Sequence, residues 1–153
     1  ALESAPGEKM TRAEGAVWAF GLLAADNKEE EYPLRFSDVE PGTEAAHAIA
    51  YLDSYGIFFG HDSAQFRPGG KLTRAEFVQL LQRLMYIPWP QWYGEGITAQ
   101  DVRPEHWAWD CLNRAVQDGW LEADSSGRLR PDEPIDTLEI AYALNAAYGQ
   151  TAE

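Results

Sequence analysis

Apolar residues recur at helical spacing three times along the chain, each time behind a polar cap. Val17, Trp18 and Leu22 follow Thr11; Phe77, Leu80, Leu81 and Leu84 follow Thr73; Ile140, Ala143 and Leu144 follow Asp136. Steps of three and four residues put each set on one face of an α-helix. The first two helices open with the same tetrapeptide, Thr-Arg-Ala-Glu, at Thr11–Glu14 and Thr73–Glu76. A threonine N-cap with a glutamate three residues on is a capping box, in which each side chain satisfies a free backbone N–H. The third opening, Asp136-Thr137-Leu138-Glu139, keeps both capping residues and replaces the arginine with Thr137.

A second kind of helix lies between these. Asp38-Val39 leads into Ala48, Ile49 and Leu52 and ends at Gly56. Asp101-Val102 leads into Trp107, Cys111, Leu112, Ala115 and Val116 and ends at Gly119. Both glycines stand where a left-handed residue closes a helix, and Pro41 and Pro104 suit the approach or first turn. Pro68 and Pro131 then stand twelve positions after their glycines. Apolar Ile57/Trp120 and Phe66/Leu129 tuck this loop onto the helices, with room for a short strand. The pattern predicts an all-α chain of tandem helix-loop-helix repeats, in which neighbours bury one another's apolar faces. Pro6-Gly7 matches Pro68-Gly69, so the reading is a partial repeat at 1–25, a second at 36–86 and a third, degenerate one at 97–149. The connectors carry Tyr32, Trp89, Trp92 and Tyr93, which favours stapled segments over flexible linkers. A sugar-stacking platform is the other reading of the tryptophan pair and Tyr93.

The 153 residues are 45% hydrophobic and 12% aromatic, enough for a packed core. A net charge of −13 argues against general nucleic-acid binding and against adsorption to an anionic membrane. It leaves room for a small anionic ligand, because a few arginines in a cleft set their own local field. The apolar stretches are too short to cross a bilayer. The single cysteine, Cys111, excludes an intrachain disulfide and a multi-cysteine zinc site. His47, His61 and His106 lack metal-ligand spacing with it, and Asp124-Ser125-Ser126-Gly127 lacks the alternating ligands of a calcium loop. No catalytic dyad, phosphate loop or nucleophile motif stands out, so the reading is non-enzymatic and free of cofactors.

The repeated features together resemble the S-layer homology domain family. Its Phe-x-Asp-Val start, Gly-Ile-x-x-Gly turn, Phe-x-Pro loop and Thr-Arg-Ala-Glu opening match Phe36, Asp38, Val39, Gly56, Ile57, Gly60, Phe66, Pro68 and Thr73–Glu76. The later copy matches at Asp101, Val102, Trp107, Ala108, Leu112, Gly119 and Pro131. The resemblance implies a pseudo-three-fold assembly around a central helical bundle, with grooves between repeats. It implies an exported bacterial module at the cell wall or cell surface. Such a module attaches a larger parent or surface-layer protein to a secondary cell wall polymer, often a pyruvylated glycan. The alternative is a degenerate domain serving protein–protein interaction or structure.

The resemblance implies a site made of the tetrapeptide arginine, the aspartate, the helix-opening tryptophan and the turn glycine. An arginine fork suits a ketal carboxylate, an aspartate accepts sugar hydroxyls, a tryptophan face packs on a pyranose, and a glycine lets the ligand near the backbone. No repeat holds the full set: Thr137 replaces the arginine, Ala123 stands where Gly60 does, and Glu44 stands where Trp107 does. A groove shared between repeats restores it, with Arg74, Asp101 and Trp107 as the favoured combination and Arg12, Asp38 and Gly60 as the second. For each arginine a salt bridge is an equal reading. For each aspartate a cap on a helix or turn is the favoured one. Trp18 and Trp120 read as core.

Overall fold

The structure, a computed structural model, describes residues 7–60, 62, 64–85, 92–93 and 95–151. Five helices make up its regular structure: α1 (Arg12–Leu22), α2 (Glu44–Ser54), α3 (Arg74–Leu84), α4 (Trp109–Gln117) and α5 (Thr137–Thr151). Among the described residues there is no strand, only three isolated antiparallel bridges. The loops expected to hold short strands are irregular. Trp89 and His61 lie outside the described residues, as does part of the second connector.

The caps form as the spacing predicts. Thr11 and Thr73 each accept from the N–H of Glu14 or Glu76, and each glutamate reaches back to the threonine N–H. Asp136 accepts from Glu139 N–H at 2.8 Å, and Glu139 returns the bond. Each such cap contributes about 1 kcal/mol. Gly56 (φ 67°) and Gly119 (φ 77°) adopt the left-handed backbone that ends α2 and α4.

The three bridges close a ring. Thr11 pairs with Lys71, Thr73 with Pro134, and Asp136 with Lys9, so each cap residue pairs with the segment that leads into another copy's cap. Backbone bonds follow the same order: Arg12 N–H donates to Gly70 O, Arg74 N–H to Glu133 O and Thr137 N–H to Glu8 O. The hub of this pseudo-three-fold arrangement is apolar. Met10, Leu72 and Ile135 occupy equivalent positions and all three are buried. Gly15, where the other copies have Phe77 and Ile140, makes room for Leu72, whose methyl would stand 3.2 Å from a Cβ placed there.

The outer helices dock in a fixed order, α2 on α1 and α4 on α3. Phe20 meets His47 and Tyr51 edge-on in the first pair, and Gln82 donates to Cys111 O in the second. Among the described helices none lies against α5 in this way. Leu138, Ala141 and Asn145 are exposed there, at positions equivalent to the fully buried Ala75, Val78 and Gln82 of α3. The first connector is stapled as expected: Tyr32 packs on Tyr51 and Tyr55 and donates to Asn27 O.

Candidate functional site

The two aspartates and two arginines act on the returning loops in the same way in both copies. Asp38 lies ahead of α2 rather than capping it. Its Oδ1 and Oδ2 accept the N–H groups of Phe66 and Arg67 at 2.9 and 2.8 Å. Asp101 accepts those of Leu129 and Arg130 at 2.9 and 2.8 Å. Burial pushes both carboxyls upward, but the backbone N–H donors outweigh it and hold both below the usual carboxylate range. The clamped residues Arg67 (φ 60°) and Arg130 (φ 53°) are left-handed, a conformation that costs a non-glycine residue on the order of 1–3 kcal/mol. Two charge-assisted bonds per loop offset that cost.

The tetrapeptide arginines grip the same loops from the other side. Arg12 is buried; its Nε donates to Phe66 O and its Nη2 to Phe59 O, both at 2.8 Å, and its Nη1 pairs with Glu76. Its guanidinium also lies over the Phe58 and Phe66 rings. Burial lowers its pKa to about 10, with nearby Arg67 adding to the shift and Asp38 opposing it. Arg74 forks onto Glu139 through Nε and Nη2 and donates from Nη1 to Arg130 O at 3.2 Å. Each arginine therefore reaches the capping glutamate of the next copy. The salt-bridge reading holds for both.

A cleft of about 860 Å³ opens where three copies meet. Its walls include Arg12, Gly60, Arg67, Lys71, Arg83 and Trp107, together with Glu76 and Asp132. Four cations face two carboxylates there, in a chain of net charge −13. Trp107 precedes α4 rather than opening it and is 57% exposed. It stacks on His106 with ring centroids 5.7 Å apart, and His106 in turn bonds Asp132 at 3.0 Å. Trp109, two residues on, packs against the core instead.

The expected combination of Arg74, Asp101 and Trp107 is not brought together on one wall. Arg74 and Asp101 meet at Arg130, one on its carbonyl and one on its N–H. Trp107 lines the cleft with Arg12 and Gly60, while Arg74 lines a separate recess of about 390 Å³ with Glu122, Asp124 and Glu139. The arrangement of Arg12, Asp38 and Gly60 comes closer, since Arg12 and Gly60 share the cleft wall and Asp38 holds the loop behind it. Gly60 has a packing reason of its own: a Cβ there would stand 2.3 Å from the Phe36 ring. Arg67, Lys71 and Arg83 are the residues that sequence reasoning missed. The signal for Arg67 was its place one residue before Pro68, beside the aspartate-clamped turn.

The remaining candidates make local contacts. Asp124 closes its own turn by accepting from Ser126 Oγ and the N–H groups of Ser126 and Arg128. The Ser126 hydroxyl is the main cause that holds its carboxyl at about 2. No cluster suited to a metal ion occurs among the described residues, and no helix there is long and apolar enough to cross a membrane. His47 bonds Lys28 O, and Trp120 is buried.

Comparison with known proteins points to one family. The family profile "S-layer homology domain" matches residues 35–78. A cellulosome-anchoring protein of Acetivibrio thermocellus is 27% identical over 92% of this chain and 32% of its own length. Cell surface glycoprotein 1 of the same organism is 29% identical over 93% of this chain and 6% of its own length. S-layer protein EA1 of Bacillus anthracis is 24% identical over 91% of this chain and 16% of its own. The chain thus spans at most about a third of these relatives.

Proposed function

Starting from a chain that belongs to the S-layer homology domain family through residues 35–78, we propose that it is a non-catalytic attachment module at the bacterial cell surface. Its ligand is an acidic glycan of the wall, a secondary cell wall polymer of the pyruvylated kind, and its cargo is the larger protein of which it forms part. The division into a partial repeat and two whole ones belongs to the same reading.

One observation carries this proposal: Trp107, more than half exposed, lines the same cleft as four cations. An exposed indole face offers a pyranose ring an apolar platform. A local excess of positive charge inside an acidic molecule draws a carboxylate to that platform. The names of the relatives, an anchoring protein and surface-layer proteins, fit the same task. Arg74, with its fork taken by Glu139, is assigned to the scaffold.

The test is retention of solubilised wall glycan on the immobilised chain, before and after chemical reduction of the glycan's carboxyl groups. The native glycan is retained and the reduced one passes through. Equal retention of both, or of neither, contradicts the proposal. The protein-interaction alternative rests on the exposed Leu138 and Tyr142 of α5. Its mark is capture of a protein that free glycan does not displace.

A further inference from the structure

Arg67 and Arg130 are the same residue in two copies: both precede a proline, both are left-handed, and both are clamped by an aspartate. Their side chains meet different fates. Arg130 Nε pairs with Asp124 Oδ2 at 2.9 Å and approaches Glu133 Oε2 at 3.6 Å. The positions equivalent to those acids hold His61 and Gly70 in the middle copy. Arg67 is exposed on the cleft wall and has no ion pair among the described residues. Asp38 accepts its backbone N–H, and the Arg67 charge adds to the lowering of the pKa of buried Arg12.

We propose that Arg67, seconded by Lys71, is the residue that reads the ligand's carboxylate. This rests on the reading of the cleft as a glycan site and names its anion contact. Arg12 cannot serve as the primary contact: its Nε, Nη1 and Nη2 are spent on Phe66, Glu76 and Phe59. Its charge still contributes to the local field. Lys71 is exposed on the same wall, again with no ion pair among the described residues. Arg67 opposes the charge of buried Arg12, and a bound carboxylate relieves that repulsion. An arginine held by a fixed backbone also loses less freedom on binding than one on a free loop. In the third copy the same arginine is quenched by Asp124 and Glu133, so that loop offers no such contact.

The experiment is calorimetric titration of the whole chain with a methyl hexopyranoside carrying a ketal-linked pyruvate, as the free acid and as its methyl ester. The wild type binds the acid more tightly than the ester. Arg67→Gln weakens the acid by at least about ten-fold, as expected for loss of a charge-assisted bond, and leaves the ester unchanged. Arg130→Gln, its counterpart, leaves both unchanged. Circular dichroism confirms that each variant is folded, and Arg67→Lys, which keeps the charge, restores part of the preference. Acid binding that survives Arg67→Gln at wild-type strength overturns this assignment alone. A wild type that binds neither probe overturns the glycan reading with it.

Discussion

Arg12 of the first tetrapeptide is ion-paired to Glu76 of the second, across the seam between two copies. The same relation joins Arg74 to Glu139. Glu76 and Glu139 thus serve twice, as N3 partners of their own caps and as acceptors for a neighbour's guanidinium. The arginine that marked the repeat is a strap between repeats.

Removing that strap exposes its cost. Arg12→Ala leaves two carbonyls without their donor and takes the cation from Glu76, so it should lower unfolding free energy by about 3–5 kcal/mol. Arg74 is more accessible, with its side chain 16% exposed, and Arg74→Ala should cost less, about 1–3 kcal/mol. Urea unfolding of the two variants checks the ranking. Equal and negligible losses would contradict the strap.

Gly60 and Phe36 form a second linked pair. The ring fills the space that a Cβ at position 60 would need. The third copy has Ala99 at the place of Phe36 and Ala123 at the place of Gly60. The small residue at 99 leaves room for the methyl at 123. Gly60→Ala should therefore destabilise by about 1–3 kcal/mol through overpacking, and Phe36→Ala in the same chain should relieve the ring's part of the clash, leaving Gln65 O at 2.9 Å, while adding its own cavity cost. A double-mutant cycle reads the coupling. Additive effects would refute it.

Acid should loosen the loops. Asp38, Asp101 and Asp124 all have carboxyl pKa values below those of the unfolded chain, about 3.9 for aspartate. The native state therefore binds fewer protons than the unfolded state in this window, and stability falls as pH falls. Their contribution is complete above about pH 4 and is lost on descent through the folded values, which for Asp124 is about 2. Thermal midpoints between pH 6 and pH 2 should show this decline. Asp38→Asn should flatten it from a lower starting point. An acid-insensitive midpoint would contradict the clamps.

Helices and caps were legible in the sequence because both are local. Thr73, Glu76 and the Phe77–Leu84 spacing specify α3 without reference to the rest of the chain. The ring order was not legible, since nothing near Asp136 signals that it pairs with Lys9. The site was legible only in its ingredients. Trp107 and Arg12 stood out as residue types, but which cleft receives Trp107 depends on how α4 docks on α3. The change from Gly60 to Ala123 reads as a lost ligand contact until Phe36 and Ala99 are placed beside them. Arg67 was hidden because its counterpart Arg130 looks identical along the chain; only the acids around Arg130 distinguish the two.

Co-sedimentation with insoluble wall fragments, comparing the wild type with Trp107→Ala and Arg74→Ala at equal folded concentration, tests the central claim most directly. The cleft reading predicts that Trp107→Ala loses most of its binding, at least about ten-fold for a stacked aromatic anchor, while folded Arg74→Ala binds as the wild type does. Loss of binding in Arg74→Ala with full retention in Trp107→Ala would contradict it.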